Sequence, residues 1–204
     1  MKSQKNHFDI MYKVYDTLAT NGKNSAVFPR PTELRPDSNI IIDHFIRSGI
    51  KCFNHVTHVS NIQSIKRNGI YSYRDLVFLG IPTCRGGNDI SQLIDRRSGN
   101  DGLVHLSVGS QLQPMFNRRD LRRYAKVVVD IGIAGLKGVV FSNMNATSKD
   151  HIQGETIADL KRININAVKA YQFESYQQFK LSQAEVMVPY VPKEYIIEVI
   201  YPIF

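Results

Sequence analysis

An alternation of apolar and polar residues that begins at Phe53 is the clearest structural signal in the chain. Residues 53–59 alternate apolar or β-branched side chains with polar ones, as a half-buried β-strand does. Side chains two residues apart project from the same face of a strand, so His55 and Thr57 are expected side by side. The pattern therefore predicts a strand that presents a histidine and a hydroxyl together.

A short helix is predicted directly after this strand. Ser60 or Asn61 stands at the expected N-cap, where a short side-chain oxygen can accept from the free N–H groups of the first turn. Ile62 and Ile65 fall on one helical face, and Gly69 ends the helix because glycine adopts the left-handed conformation at low cost. The predicted unit is a strand, a cap, a helix and a stop.

The remaining patterns predict a mixture of helices and strands. Helices are expected at residues 8–20, 89–97, 117–124 and 154–169. Extended segments are expected at residues 70–76, 103–108, 126–131, 139–146 and from 185 onward. The β-branched run 126–131 has the composition of a central buried strand. The run 40–46 fits either a helix or a strand, and 171–179 is expected to be a polar, aromatic-rich loop.

The first fifty residues differ in pattern from the rest. The predicted helix at 8–20 is followed by a polar segment that contains Pro29, Pro31 and Pro36, which is typical of an irregular connector. Residues 1–50 are therefore expected to form a helical extension packed on a main domain of residues 51–204. A chain of 204 residues is long enough for such a domain to bury a core.

Composition adds one departure from the average globular protein, which is charge. The hydrophobic share of 43% and the charged share of 22% are ordinary, but the net charge is +8 and the pI is about 9.5. A basic surface favours a polyanion, because each neutralised phosphate releases counterions. The competing explanation is a solvated basic surface that maintains solubility.

Cysteine usage and hydropathy indicate the compartment. Cys52 and Cys84 lack metal-ligand spacing, which fits a reducing environment and predicts no zinc site. No apolar run approaches the ~18 residues that span a bilayer, and residues 1–7 lack the apolar segment of a secretory signal. The protein is therefore expected in the cytoplasm and without a membrane partner.

Three groups of residues carry candidate chemistry. His55 with Thr57 could bind the ribose and amide groups of a nucleotide, or be ordinary half-buried polar residues. Arg96 and Arg97, followed by glycines, could hold a pyrophosphate, or compensate a helix end. Glu185 begins an apolar strand, where a carboxylate needs a partner or a function unless it faces solvent at an edge.

A basic and an aromatic segment could contact nucleic acid. The basic patch, with Tyr124 beside it, consists of Arg118, Arg119, Arg122 and Arg123. The aromatic loop contains Tyr171, Phe173, Tyr176 and Phe179, and such rings can stack on exposed bases for roughly 1–3 kcal/mol each. A solvated helix face and a loop packed on the core are the alternatives.

Four separated patches, in the same order, resemble the DarT-like family of DNA ADP-ribosylating toxins within the ADP-ribosyltransferase superfamily. The patches are His55-Val56-Thr57-His58-Val59-Ser60-Asn61, Leu93-Ile94-Asp95-Arg96-Arg97-Ser98-Gly99, Val139-Val140-Phe141-Ser142-Asn143-Met144-Asn145-Ala146 and Gln183-Ala184-Glu185. Gln113-Pro114-Met115 is also similar to a family segment. The chain departs from the family at residues 104–108, where an aromatic-rich strand is replaced by Val-His-Leu-Ser-Val.

The resemblance implies a fold and roles for individual residues. The fold is the α/β (α+β) ADP-ribosyltransferase fold, with two facing, mostly antiparallel sheets, flanking helices and a cleft for NAD, which is used as a substrate without a metal. Glu185 is implied as the catalytic carboxylate. Arg97 is implied either to hold the pyrophosphate or to assist deprotonation of the acceptor base. NAD-binding roles fall to His55, Val56, Thr57, Asn61 and, secondarily, His58.

The function implied by the resemblance is transfer of ADP-ribose to a nucleobase of single-stranded DNA by a toxin or phage-defence effector. The basic patch and Tyr176 would bind the nucleic acid, and an antitoxin protein is the expected partner. Two alternatives stay open at this point: the same chemistry on RNA, and a catalytically silent nucleic-acid-binding module.

Overall fold

The computed structural model describes residues 33–84, 89–109 and 121–201, with the backbone alone at 89–92. The strands are Cys52–His58 (β1), Ile70–Tyr71 (β2), Val104–Ser107 (β3), Tyr124–Asp130 (β4), Val140–Ser142 (β5), Gln153–Gly154 (β6), Glu185–Val188 (β7), Tyr190–Val191 (β8) and Ile196–Ile200 (β9). The α-helices are Ser38–Arg47 (α1), Ile62–Asn68 (α2), Tyr73–Phe78 (α3), Asp89–Ser98 (α4), Ile157–Leu160 (α5), Ile165–Lys169 (α6) and Tyr176–Leu181 (α7). The predicted helix at 8–20 lies outside the described residues.

Seven strands form one antiparallel sheet in the order β6-β5-β7-β3-β1-β4-β9. A second sheet contains only β2 and β8 among the described strands, and it is also antiparallel. Helices flank these sheets, so the predicted mixed fold class is confirmed. The two sheets are unequal, because the second one has only short strands.

One apolar face of the large sheet forms the core. Val127 and Val129 of β4 and Phe53 of β1 are fully buried, as the period-two pattern predicts for a strand with one covered face. Helix α1 covers this face, and the ring of its Phe45 lies edge-on to Phe53 with 5.0 Å between the ring centroids. The ambiguous run 40–46 is therefore helical, because Ile41 and Phe45 lie one turn apart on its buried side.

Helix α1 belongs to the segment that the sequence assigns to an N-terminal extension. It contributes two fully buried side chains to the core, Ile41 and Phe45. Residues 1–32 lie outside the described residues. The division of the chain at residue 50 therefore stays a prediction.

Four local predictions are wrong, each because a turn or cap was missed. Residues 73–78 are helical rather than extended, because Ser72 accepts a hydrogen bond from the Asp75 backbone and starts a helix. Tyr124 begins strand β4 instead of ending a helix, and residues 121–123 form a 3-10 turn. The predicted helix 154–169 is two short helices, each with its own N-cap, Thr156 and Asn164. The predicted loop 171–179 contains the start of α7, which Ser175 caps.

The strand–helix unit at residue 53 is as predicted apart from its cap. Strand β1 leads through a 3-10 turn at 59–61 into α2, and Gly69 ends the helix with φ +79°. A Cβ atom at Gly69 would lie 2.2 Å from the Val191 carbonyl oxygen, so the stop requires glycine for space as well as for conformation. Asn61 occupies the N-cap position, but its side chain makes no cap hydrogen bond.

Candidate active site

Strand β1 and strand β3 separate beside His55. Within the described residues, these strands are in register only at Asn54 and Ser107, although β1 pairs with β4 along all of Cys52–His58. The Nδ1 atom of His55 lies 3.1 Å from the carbonyl oxygen of His105 and spans this gap. A carbonyl only accepts, so Nδ1 carries the proton and Nε2 is left as an acceptor.

His55 is electrically neutral at physiological pH. Burial lowers the pKa of its imidazole, and the nearby charge of His105 lowers it further, against the opposing effect of the backbone hydrogen bond. A neutral ring with Nε2 as acceptor can take a hydrogen bond from a sugar hydroxyl. The ribose-binding role expected for His55 would use this acceptor and stays a prediction.

Thr57 and Asn61 form a second hydrogen-bonded group beside His55. The amide nitrogen of Asn61 donates to Thr57 Oγ1 at 2.9 Å and to the Cys84 carbonyl oxygen at 2.8 Å. The Cys84 N–H donates back to Asn61 Oδ1 at 2.9 Å. These three bonds explain why the Asn61 side chain does not cap α2. Instead, this side chain holds the backbone of Cys84 against the end of β1.

Val56 and His58 lie on the opposite face of β1 from His55. Val56 is half-buried opposite Lys126, and its predicted role uses only its backbone. His58 Nδ1 accepts from the Ser60 backbone at 3.2 Å and lies 2.8 Å from Ser60 Oγ. The observed contacts of His58 therefore shape the turn that leads into α2.

Glu185, the carboxylate that the sequence predicts to be catalytic, is buried. It is 3% exposed at the first position of β7, between Ser107 of β3 and Ser142 of β5. Its Oε2 atom accepts from the Ala146 backbone at 2.9 Å and lies 3.1 Å from His105 Nδ1. The alternative of a solvent-facing edge residue is wrong, because β7 is flanked by strands on both sides.

His105 connects the elements of this site. Its Nδ1 atom contacts Glu185, and its Nε2 atom lies 3.9 Å from Asp95 Oδ1 on helix α4. Burial would lower the pKa of the imidazole, but the charge of Glu185 and the hydrogen bond to it, with the charge of Asp95 and a hydrogen bond to the Asn100 backbone, raise the pKa to about 9. An imidazolium therefore lies between two carboxylates at neutral pH.

Helix α4 carries the predicted functional arginine. Arg96 and Arg97 are in its last turn, and both side chains are exposed. The Arg97 side chain makes no hydrogen bond or ion pair with another residue of the described part of the chain. Asp95, two residues earlier, faces His105 and so attaches this helix to the sheet beside Glu185.

The matching family model bears the description "ssDNA thymidine ADP-ribosyltransferase, DarT", and it aligns with residues 54–202. This match covers more than half of the chain. The chain belongs to the DarT family. The family and the enzyme class expected from the sequence are thereby confirmed. No curated protein sequence matches the chain significantly.

Solved DarT structures share the fold. The chain is 21% identical to Thermosipho africanus DarTG in complex with ADP-ribose, with a TM-score of 0.60 over 73% of this chain and 43% of that one. It is 16% identical to Thermus sp. 2.9 DarT in complex with ADP-ribosylated ssDNA, with a TM-score of 0.58 over 74% of this chain and 81% of that one. The same Thermus protein in complex with NAD+ gives a TM-score of 0.56 at 16% identity over the same shares. The chain thus spans less than half of the Thermosipho protein.

The residues expected to bind nucleic acid in this DarT family member are only partly described. Arg122 and Arg123 are exposed in the 3-10 turn before β4, whereas Arg118 and Arg119 lie outside the described residues. Tyr176 is 75% exposed at the start of α7, and Lys180 Nζ lies 6.0 Å from the centre of its ring. Gln113-Pro114-Met115 also lies outside the described residues.

Two groups at the site were not identified as functional from the sequence. In the sequence, His105 belongs to the segment 104–108 that departs from the DarT pattern, and Ala146 belongs to a family-like turn. His105 lies two residues before Ser107, which pairs with Glu185, whereas His105 itself pairs with Met187. No local sequence pattern indicates the resulting ion pair. Among residues 33–84, 89–109 and 121–201, no helix has the length and apolar character needed to cross a membrane.

Proposed function

We propose that this DarT family member transfers ADP-ribose from NAD to a nucleobase of single-stranded DNA. The observation that carries the proposal is the buried Glu185 carboxylate, held by His105 and by the Ala146 backbone at the first position of β7. A fixed, desolvated negative charge is what a positively charged transition state requires.

Glu185 is the proposed catalytic residue. The bond between nicotinamide and ribose C1′ breaks, nicotinamide leaves with the bonding electrons, and positive charge develops on the ribose. The carboxylate stabilises this charge and orients the ribose. A ring nitrogen of the acceptor nucleobase then forms the new bond to C1′ and loses its proton, which the Glu185 carboxylate would accept.

His55, Val56, Thr57 and Asn61 are the proposed NAD-binding residues, with His58 in support. The Nε2 atom of His55 would accept from a hydroxyl of the adenosine ribose, since its Nδ1–H is already donated to the His105 carbonyl. Val56 lies on the part of β1 that is not paired with β3. This favours the Val56 backbone as a hydrogen-bond partner for the nicotinamide amide. Thr57 and Asn61 would complete that pocket.

Arg97 is proposed to act at the phosphates or at the acceptor base. An exposed guanidinium without a protein partner in the described part of the chain can bind phosphate oxygens through paired N–H donors. A cation beside a weakly acidic base nitrogen would also lower the pKa of that nitrogen and so assist its deprotonation. A variant series that separates NAD affinity from transfer rate distinguishes these roles.

Single-stranded DNA is proposed as the acceptor. The family description names ssDNA thymidine, and the similar Thermus DarT was solved with ADP-ribosylated ssDNA. The net charge of +8 and the exposed Arg122, Arg123 and Tyr176 are consistent with a single strand bound beside the site. The segments with Arg118 and Arg119 would extend this surface.

A toxin or phage-defence role is proposed from the same likeness. The similar Thermosipho protein is named DarTG and is more than twice as long as the part matched by this chain. Modification of DNA bases harms the cell that carries it out, so a neutralising antitoxin protein is the expected partner. Growth arrest on expression of the wild-type chain, but not of Glu185→Ala, would support this role.

Incubation with labelled NAD tests the proposed function. Single-stranded DNA, RNA and total protein are offered in parallel, with Glu185→Ala as the control. We expect label on DNA that disappears with the variant. Label on RNA alone would change the acceptor, label on protein alone would assign another transferase class, and retention of nucleic acid without any transfer would favour a binding module.

A further inference from the structure

His105 contacts three elements that converge on the candidate active site. Its Nδ1 atom lies 3.1 Å from Glu185 Oε2 on β7, its Nε2 atom lies 3.9 Å from Asp95 Oδ1 on α4, and its carbonyl oxygen lies 3.1 Å from His55 Nδ1 on β1. His105 thus contacts both the proposed catalytic carboxylate and the histidine that is proposed to bind NAD. A change at His105 would therefore reach the proposed catalytic and NAD-binding residues together.

The Glu185 carboxylate is held from two directions at one oxygen. His105 approaches Oε2 from the neighbouring strand β3, and the Ala146 N–H approaches the same atom from the turn after β5. Two donors that converge from different elements fix the plane of a carboxylate more tightly than one donor does. The His105 donor is the one that a point substitution can remove, because the Ala146 donor is backbone.

Asp95 faces the second ring nitrogen of His105, Nε2. Its Oδ1 atom is buried and has no hydrogen-bond partner within the described residues, and the charged group that faces it is the His105 imidazole. Glu185 at Nδ1 and Asp95 on the Nε2 side together favour the imidazolium form of His105. Burial raises the pKa of Asp95, and the charge of His105 opposes this shift.

We propose that His105 is a positioning residue that holds the Glu185 carboxylate for transfer and, through Asp95, ties it to the helix that carries Arg97. This inference rests on the proposed catalytic role of Glu185. His105 itself touches neither substrate in the proposal. Its effect is to keep the buried Glu185 carboxylate charged, oriented and at a fixed position relative to α4.

Two amide substitutions separate the two ends of the imidazole. In His105→Asn the side-chain nitrogen can take the place of Nδ1 and donate to Glu185, whereas in His105→Gln it takes the place of Nε2 and faces Asp95. His105→Ala removes both. His44→Asn is the matched control, because His44 is a half-buried histidine on α1, outside the candidate site, and burial lowers its pKa. Melting temperatures identify any variant that fails to fold.

We expect kcat to decrease in the variants that lose the hydrogen bond from position 105 to Glu185. His105→Gln and His105→Ala should reduce kcat by about ten- to a hundredfold, with KM for NAD changed less than about threefold, since a misplaced catalytic group costs on the order of a hundredfold. His105→Asn should recover most of this loss. His44→Asn should match the wild type.

The pH profile supplies a readout that packing alone would not change. The groups that face the ring are Glu185, Asp95 and His55, while Asp101 and His151 act on Asp95. In the wild type, kcat should fall as the pH rises through about 9, where the imidazolium loses its proton. The His105→Asn variant should lack this step.

Equal losses in His105→Asn and His105→Gln, or losses that only follow the folded fraction, would overturn the inference. An unaltered alkaline limb in His105→Asn would do the same. These outcomes differ from failure of the proposed function, in which Glu185→Ala transfers as well as the wild type or the wild type transfers to nothing. Loss of transfer in Glu185→Ala together with wild-type kinetics in every His105 variant would remove this inference alone.

Discussion

The Nδ1 atom of His105 lies 3.1 Å from Oε2 of Glu185, and the two residues belong to neighbouring strands, β3 and β7. Carboxylates are rarely buried without a partner, and Glu185 is only 3% exposed. The His105 imidazolium supplies the compensating charge, and the Ala146 N–H supplies a second donor. The same contact thus explains how the strand tolerates a buried carboxylate and how that carboxylate is aimed.

Stability should decrease at alkaline pH because of this ion pair. The pKa of His105 is raised from 6.5 to about 9, so its contribution is fully present below about pH 6.5 and is lost as the pH rises through about 9. Removal of one member of a buried pair costs several kcal/mol, so His105→Ala should lose roughly 3 kcal/mol at pH 7. Thermal unfolding between pH 6 and pH 10 measures both effects.

Comparison of the melting curves of the wild type and His105→Ala separates the effect of His105 from other effects of alkaline pH. Burial also raises the pKa of Cys52, so deprotonation of this thiol weakens the folded state at high pH in both proteins. The difference between the two melting curves should therefore shrink from neutral pH to pH 10. Parallel curves across that range would show that the imidazole is not charged in the folded protein.

His55 should affect NAD binding more than folding. In His55→Asn the side-chain nitrogen can still donate to the His105 carbonyl, but the acceptor at Nε2 is lost. One lost hydrogen bond is worth about 1 kcal/mol or slightly more, so the Kd for NAD should rise about five- to tenfold with little change in melting temperature. His55→Ala should lose both affinity and stability, because the strand contact also disappears.

The pH dependence of NAD binding adds a second check on His55. Burial lowers the pKa of this histidine, so protonation occurs only below its usual range and replaces the acceptor by a donor. Affinity measured by calorimetry should be constant around pH 7 and should decrease at more acidic pH. An affinity that increases on acidification would contradict the acceptor role.

Asn61 should act on the nucleotide pocket through Cys84. Asn61→Ala removes the bonds to Thr57 Oγ1 and to both backbone groups of Cys84. The expected result is a rise in KM for NAD of severalfold and a loss of about 1–3 kcal/mol in stability, because a held segment is released and polar groups lose their partners. Asn68→Ala is the control, since Asn68 lies on the same helix and its side chain makes only a 3.5 Å contact to Ser64.

The sequence predicted the elements better than the contacts between them. Strand β1, the stop at Gly69 and the strand at Glu185 follow from local patterns, because alternation and glycine conformation are properties of neighbouring residues. The contact between His105 and Glu185 depends on the register that places Ser107 opposite Glu185, which no local pattern encodes. Asn61 shows the same limit, because a partner 23 residues away, Cys84, outcompetes the local cap.

Arg122 and Arg123 should contribute to the salt dependence of DNA binding. Each cation that neutralises a phosphate of a single strand adds about 0.7 to the slope of log K against log salt. Exchange of both for serine should reduce that slope by about 1.4 and should leave NAD affinity unchanged. Arg47→Ser is the matched control on the surface of α1, where the arginine pairs with Asp43. An unchanged slope would exclude this turn from the DNA-binding surface.

Transfer of ADP-ribose by Glu185→Gln is the most direct test of the proposed catalytic role of the Glu185 carboxylate. Glutamine keeps the size of the side chain and an oxygen that can accept from the Ala146 N–H, so the fold and NAD binding should persist, although the loss of the charge opposite His105 lowers stability. Labelled NAD and a thymine-containing single-stranded oligonucleotide are incubated with the wild type and with the variant, and the modified oligonucleotide is measured by mass spectrometry. We expect modification by the wild type and at least about a hundredfold slower modification by the variant, with the Kd for NAD changed by no more than a few-fold. Equal rates in the two proteins would contradict a catalytic role for the Glu185 carboxylate.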